Sequence, residues 1–121
     1  MLSDITASII FEESTQLFNC PNNTWIRNVF AKSVSKGTYL VTGSVDFSSN
    51  YSGIRVLIVS DDYDDVANDE HNSVLGTGRA TLSMTRVFHF TSNGTIYLNV
   101  YQGSTDTTLQ ARGYLQVVKL N

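Results

Sequence analysis

Apolar and polar side chains alternate along much of the chain, most clearly over residues 95–120. Successive side chains of a β-strand point to opposite faces, so this alternation predicts strands with one buried face. Ile96, Leu98 and Val100 share one parity, and the opposite parity carries two tyrosines. After turn-forming residues at 102–106, a longer strand follows, with an apolar face made of Leu109, Ala111, Gly113, Leu115 and Val117. The pattern predicts a hairpin whose last strand belongs to the core.

Two segments in the first half of the chain also predict strands. Residues 38–47 alternate cleanly, and one face is made of Tyr39, Val41, Gly43, Val45 and Phe47. Residues 54–59 are apolar on both faces apart from Arg55. A strand of that kind is covered on both sides. We therefore expect it to be covered either by a second sheet and a loop or by a neighbouring subunit.

Other segments are less regular. Residues 4–18 predict a first strand because Thr, Ser and Ile dominate, although the spacing of the isoleucines also fits a short helix entering a stalk. Over residues 79–90 the apolar parity changes, which predicts a bulge or a corner near Thr85. Residues 92–94, Ser-Asn-Gly, predict a hairpin turn into the strand that follows.

The predicted elements define the fold class. Seven or eight strands separated by Gly, Asn, Ser and Asp turns, with no segment of helical period, predict an all-β antiparallel sandwich or jelly roll. A chain of 121 residues fits one domain with its own core. We expect a single head domain over residues 1–121, in which residues 1–23 form an N-terminal strand or stalk remnant with a loop and residues 24–120 form the core sandwich.

Charge and composition exclude several classes of function. The net charge is −3, and the eight Lys and Arg residues are scattered, whereas a nucleic-acid-binding protein needs a basic face. No apolar stretch approaches the roughly 20 residues of a membrane span. The first residues lack the basic region of a signal peptide. We therefore expect the protein to be made in a cytoplasm and not to insert into a membrane. Cys20 is the only cysteine, which excludes an intrachain disulfide. We predict a small buried or half-buried side chain, with an intermolecular or reactive thiol as the alternative.

The order of the segments resembles that of a known family. It runs from KGTYLVTGSVDF at 36–47 through IRVLIV at 54–59 and a long loop to YLNVYQGSTDTTLQARGYLQVVKL at 97–120. This order resembles the trimeric globular heads of the tumour-necrosis-factor and complement-head superfamily, in which the last strand ends the chain inside the central sheet. More narrowly, the Tyr-Gln-Gly-Ser of residues 101–104, with Leu109 and the terminal Val-Val-Lys-Leu, resembles the C-terminal head domains of bacteriophage tail fibres. The resemblance covers about residues 24–120.

This resemblance implies a trimeric jelly roll located in a virion. The implied function is that of a non-enzymatic fibre-tip or receptor-binding head that forms a homotrimer and attaches to a host surface molecule, either a saccharide or a protein. The alternative is a structural component, such as a capsid decoration or baseplate protein, that binds other virion proteins. No metalloprotease, G-x-S-x-G or paired-cysteine motif accompanies His71 or His89, so we predict no enzymatic activity. A third hypothesis is a small glycoside-cleaving enzyme that uses Asp61, Asp64 or Asp69.

Residues 61–70 contain a dense group of acidic side chains. Oxygen ligands in a loop suit calcium, and the candidate ligands are Asp61, Asp62, Asp64 and Asp65. Their spacing does not match the EF-hand loop, and a solvated acidic loop is the alternative. We predict no resident cofactor, with calcium as the hypothesis for this loop.

Loops and outward tyrosines are the candidate recognition residues. Loops placed by a rigid sandwich commonly carry recognition, and the ligand-binding residues predicted on them are Asn50, Tyr51, Asp61, Asp62, Tyr63, Ser104 and Asp106. Tyr97, Tyr101 and Tyr114 have the parity opposite to the predicted core. Amphipathic rings of this kind suit a subunit interface or a sugar-stacking surface, and we assign these three to the trimer interface.

Overall fold

A computed structural model of the protein describes residues 7–47, 53–61, 73–76, 80–103 and 108–121. The strands are β1 (Ser8–Ser14), β2 (Phe18–Cys20), β3 (Thr24–Val34), β4 (Gly37–Phe47), β5 (Gly53–Ser60), β6 (Ser73–Gly76), β7 (Ala80–Phe90), β8 (Gly94–Gly103) and β9 (Leu109–Lys119). The first sheet has the order β1-β9-β4-β7, with β2 also paired to β9, and the second has the order β3-β8-β5-β6. Every pairing is antiparallel, and the described part of the chain contains no helix. The predicted all-β class is confirmed.

The core lies between the two sheets and follows the predicted alternation. The inward faces of β4, β8 and β9 are buried, and their largest contributors are Tyr39, Phe47, Ile96, Leu98, Leu109 and Leu115. The sheets approach closely at Gly43, where an added Cβ would lie 2.5 Å from Val59 and 2.9 Å from Leu98, both in the second sheet. These contacts make the two layers a β-sandwich.

The position of the last strand was predicted correctly, but its partner was not. β9 lies inside the first sheet, between β1 and β4. The predicted hairpin with β8 is wrong, because β8 lies in the second sheet. Two alternating segments joined by a turn can pair side by side or face each other across a core. Alternation alone does not distinguish these arrangements, since both bury the same parity.

The hairpin predicted at residues 92–94 is wrong for the same reason, because β7 belongs to the first sheet and β8 to the second. The crossing is tightly packed, since a Cβ on Gly94 would lie 2.4 Å from the ring of Phe90. That ring in turn packs edge-on against Tyr39, with 5.9 Å between ring centroids. A residue without a side chain is therefore needed where the chain passes from one layer to the other.

The bulge predicted near Thr85 is also wrong. The ladder between β4 and β7 is unbroken from Gly37 to Phe47. The parity signal was misleading because Arg86 points inward and donates a hydrogen bond from Nη1 to the Val59 carbonyl at 2.6 Å, while Val87 points outward. The register shifts occur instead in β1 and in β3.

Strand β5 is covered on both sides within a single chain. Leu57 and Val59 face the core, and Ile58 has the opposite parity, yet all three are fully buried. The expectation of two covered faces is confirmed here. No neighbouring subunit is needed to explain it, whereas Ile54 at the start of the strand is 42% exposed.

The N-terminal segment forms the predicted strand. β1 pairs with β9 along its length, and β2 pairs with the start of β9. His89, predicted to be a strand residue with a partner for its ring, has Nδ1 at 2.9 Å from the Thr38 hydroxyl. No described helix is long and apolar enough to cross a membrane.

Cys20 is a free and fully buried thiol, as predicted. Burial raises its pKa from 9.0 to about 12. A raised folded-state pKa means that the neutral thiol is the stabilised form. Its contribution to stability is complete below about pH 9 and is lost as the pH rises towards 12.

We therefore expect Ellman's reagent to label Cys20 slowly in the native protein and rapidly in guanidinium chloride. The difference in unfolding free energy between the wild type and Cys20→Ala should be constant below pH 9. Above pH 9 this difference in free energy should shrink, by up to about 1.4 kcal/mol for each pH unit. Urea titrations at pH 7 to 11 would measure it, and native labelling as fast as that of a free thiol would contradict the prediction.

Candidate functional site

The predicted loop residues lie mainly outside the described part of the chain. Of the ligand and calcium candidates, only Asp61 is described, and it is exposed. The others outside the described residues are Asn50, Tyr51, Asp62, Tyr63, Asp64, Asp65, Ser104 and Asp106. No group of three or more His, Cys, Asp or Glu side chains within the described ranges is arranged to hold a metal. The calcium loop therefore stays a prediction.

Strand pairing fixes where the predicted loops leave the sandwich. Residues 48–52 follow β4 and residues 104–107 follow β8, and Ile54 pairs with Gly103, so both connections leave from one end of the molecule. At about 3.3 Å per residue, the two ends of β5, Gly53 and Ser60, are about 23 Å apart. Asp61 follows the Ser60 end. Asp61 is thus remote from the end at which the other two loops begin.

The three predicted interface tyrosines do not share a face. Tyr97 and Tyr101 lie on β8, on the outer face of the second sheet, whereas Tyr114 lies on β9, on the outer face of the first. The expectation of one tyrosine-bearing face is wrong, because it rested on the hairpin between β8 and β9. Participation of any of them in a subunit contact stays a prediction.

Tyr101 belongs to an aromatic cluster at the end of the second sheet. It pairs with Trp25 across β3 and β8, and the two half-buried rings have centroids 5.1 Å apart at an interplanar angle of 40°. The Tyr101 hydroxyl donates a hydrogen bond to Asn23 Oδ1 at 3.1 Å. Gly103 lies beside them, since a Cβ there would be 3.3 Å from Asn23 Oδ1 and 3.4 Å from the Tyr101 ring. We call Asn23, Trp25, Tyr101 and Gly103 the aromatic platform.

Local backbone chemistry fixes the platform. Asn23 has a φ of 55°, a left-handed conformation that Asn tolerates better than most residues. This turn lets its N–H donate to the Gln102 carbonyl at 2.9 Å, which extends the ladder between β3 and β8. Beneath the surface, Gln102 Nε2 donates to the Cys20 carbonyl at 2.9 Å. The turn that precedes Trp25 is thus attached to β8 from two sides, so the platform is held in place before any ligand arrives.

The platform continues into an aliphatic surface on β5. Val56 pairs with Tyr101 on the same face and is half-buried, and the more exposed Ile54 stands opposite Gly103. None of these residues is an Asp, Glu, His, Lys, Arg or Cys. The surface can therefore stack on a ligand and donate hydrogen bonds to it.

Two concave regions lie elsewhere on the described surface. One, of about 400 Å³ and mainly apolar, is lined by Thr15, Gln16, Leu17, Phe18, Asn19, Ile26 and Val29. The other, of about 560 Å³, lies at the end opposite the platform and is lined by Ser33, Val34, Ser35, Asn93, Gly94 and Thr95. Among the described residues, neither lining contains a charged side chain.

The outer face of the first sheet carries a row of aliphatic side chains. Ile9 pairs with Val118, Val118 with Leu40, and Leu40 with Val87, so the row crosses β1, β9, β4 and β7. Ile9 is 57% and Val87 61% exposed, while the two central members are half-buried. We call these four residues the aliphatic row.

A polar row with internal hydrogen bonds lies beside the aliphatic row. Glu12 Oε2 accepts hydrogen bonds from the Tyr114 hydroxyl and from Gln116 Nε2, the latter at 3.2 Å. Across the sheet, the hydroxyls of Thr42 and Thr85 are 3.2 Å apart. The hydrogen bond to Glu12 raises the pKa of Tyr114, which favours the neutral hydroxyl that donates this bond. The face is thus an apolar stripe with a polar margin.

Sequence reasoning missed both surfaces. Trp25 was visible as the only tryptophan, but nothing in the sequence placed it against Tyr101. The aliphatic row did leave a signal, because consecutive apolar residues interrupt the alternation at one point in each strand, at 9–10, 40–41, 87–88 and 117–118. Only the strand register shows that these interruptions meet.

No protein-family model matches the chain, and no curated protein sequence matches it. The functional argument therefore depends on the surfaces themselves.

Proposed function

We propose that this protein is a non-enzymatic head domain of a viral fibre tip, of bacteriophage type, which forms a homotrimer and attaches to a saccharide on the host surface. The observation that carries the proposal is the aliphatic row. Such heads combine a self-association face with a separate recognition surface, and the chain has one candidate for each. The proposed trimer places three copies of each recognition surface on one rigid scaffold.

The strand order supports the jelly-roll part of the proposal. The connections from β3 to β4, β4 to β5, β6 to β7, β7 to β8 and β8 to β9 each cross from one sheet to the other. Repeated crossing of this kind produces the Greek-key pattern of double-sheet jelly rolls. The resemblance of residues 24–120 to trimeric heads supports the same architecture.

The aliphatic row supports self-association through the first sheet. Two of its members, Ile9 and Val87, leave more than half of their side chains exposed on an otherwise polar face. Interface cores are depleted of charge and surrounded by a polar rim. The polar row that contains Glu12 would supply that rim. Tyr114 lies on this face and keeps its predicted place in the interface, whereas Tyr97 and Tyr101 become available for another role.

Light scattering at micromolar concentration tests the trimer. We expect about three times the 13.4 kDa subunit mass for the wild type and a folded monomer for Val87→Lys, because the lysine would place a charge in the interface. Ser83→Lys is the matched control, since it adds the same charge to the same strand and face, away from the row.

Binding to host envelope polysaccharide tests the attachment. Three weak sites on one scaffold raise avidity by about 100-fold or more, so Val87→Lys should bind immobilised polysaccharide far more weakly than Ser83→Lys. A monomeric wild type would contradict the trimer. Tight binding to a virion protein, with no polysaccharide binding, would identify a structural component instead.

A further inference from the structure

We infer that the aromatic platform is the saccharide site and that it takes the apolar face of a neutral pyranose ring. The inference rests on the proposed function for the class of ligand, but not for the position of the site. It moves recognition away from the acidic segment that begins at Asp61 and onto the second sheet. It also changes the role of Tyr101 from subunit contact to ligand contact.

The combination of aromatic rings and hydrogen-bonding groups in the platform suits one face of a pyranose. Such a ring has a face of C–H groups and a rim of hydroxyls, so its binding site needs a flat apolar surface beside hydrogen-bonding groups. Trp25 and Tyr101 provide two adjacent aromatic rings on an outward sheet face. Aromatic side chains combine a large contact area with little loss of conformational freedom on binding.

Polar groups beside the rings remain available. Trp25 Nε1 and Asn23 Nδ2 have no hydrogen-bond partner among the residues that the structure describes. Both are donors, and each can donate to a sugar hydroxyl oxygen. The bond from Tyr101 to Asn23 Oδ1 holds the amide in one orientation, which leaves its NH₂ group free for the ligand.

The composition of the platform favours a neutral sugar. The platform and the adjoining Val56 and Ile54 contain no acidic, basic or imidazole side chain. A sialic acid or uronic acid would lose hydration of its carboxylate against this surface without gaining a cationic partner among these residues. A neutral hexose or N-acetylhexosamine has no such cost.

The inference is tested with the full chain and its single tryptophan, whose emission reports on this surface alone. We expect saturable changes in emission on titration with the methyl glycoside of glucose, galactose or N-acetylglucosamine, with a dissociation constant of about 1 mM. Tyr101→Ala should weaken binding about tenfold, and Tyr101→Phe two- to threefold. Tyr97→Ala is the matched control, because it removes a tyrosine from the same strand and face, and should leave the affinity unchanged. Far-ultraviolet circular dichroism would establish that each variant is folded.

The outcomes separate the site from the function. Polysaccharide binding that persists in folded Tyr101→Ala, with no response of Trp25 to any glycoside, would overturn the site and leave the proposed function standing. Absence of binding to any host polysaccharide by the wild type would overturn both. A stronger response to methyl glucuronide than to methyl glucoside would refute the neutral class. A response to proline-rich peptide alone would make the platform a peptide site.

Discussion

Replacing Gly43 with leucine should lower the free energy of unfolding by about 3 kcal/mol. The sheets approach closely at Gly43 in β4, because even a Cβ would lie 2.5 Å from Val59 Cγ2 and 2.9 Å from Leu98 Cδ1. A leucine side chain must push the layers apart along this contact, which separates core side chains that now touch. Urea unfolding followed by circular dichroism would measure the loss.

Ser44→Leu provides the control for this change. Ser44 is the next residue of the same strand, and its side chain lies on the half-buried outer face opposite Tyr114. The same leucine there adds no volume to the core, so the free energy of unfolding should change by less than about 1 kcal/mol. Equal effects of the two substitutions would show that the sheets do not pack closely at Gly43.

Replacing Phe47 with alanine should cost about 3–5 kcal/mol. Phe47 is fully buried at the end of β4, and the guanidinium of Arg55 lies over its ring at 5.6 Å from the centroid. Arg55 is itself only 2% exposed, and burial lowers its pKa. Removal of the ring would therefore leave both a cavity and a buried cation without its aromatic neighbour. Thermal and urea unfolding would measure the effect.

Phe47→Leu separates the two contributions. Leucine restores most of the lost volume but has no π-face, so its remaining cost, about 1–2 kcal/mol, reports mainly on the cation–π contact and the change of shape. Thr42→Ala on the outer face of the same strand controls for changes in strand propensity. A Phe47→Leu variant as unstable as Phe47→Ala would show that volume is not what the ring contributes.

The sequence predicted the buried face of each strand better than it predicted which strands pair. In β4 and β9 the alternation correctly assigned the core, because burial of one parity is a local property of a strand. Pairing is not local. The connections at residues 35–36 and 91–93 are short enough for hairpins, yet each crosses between the layers. At the second connection, the ring of Phe90 packs over Gly94 where the chain crosses to the other sheet. Turn prediction from residue types does not take such a contact into account.

The surfaces were harder to predict than the core. Trp25 and Tyr101 are 76 positions apart, and only the register between β3 and β8 brings them together. The β3 bulge also depends on structure, because Asn28 adopts a φ of 60° and its N–H donates to Asn99 Oδ1 at 2.9 Å. The aliphatic row can be recognised only when the registers of three strand pairs, β1–β9, β9–β4 and β4–β7, are all known. Each of these features depends on pairings between distant segments, which a pattern read along the chain does not contain.

The central position of β9 has a consequence for biosynthesis. β9 is synthesised after β1 and β4, yet both of those strands pair with it through backbone hydrogen bonds. Until residue 119 has emerged, β1 and β4 remain separated by an unfilled gap, and their backbone groups are open to other chains. The first sheet should therefore be completed only once β9 has emerged, so nascent chains that have not reached this point would depend on chaperones that shield open strand edges.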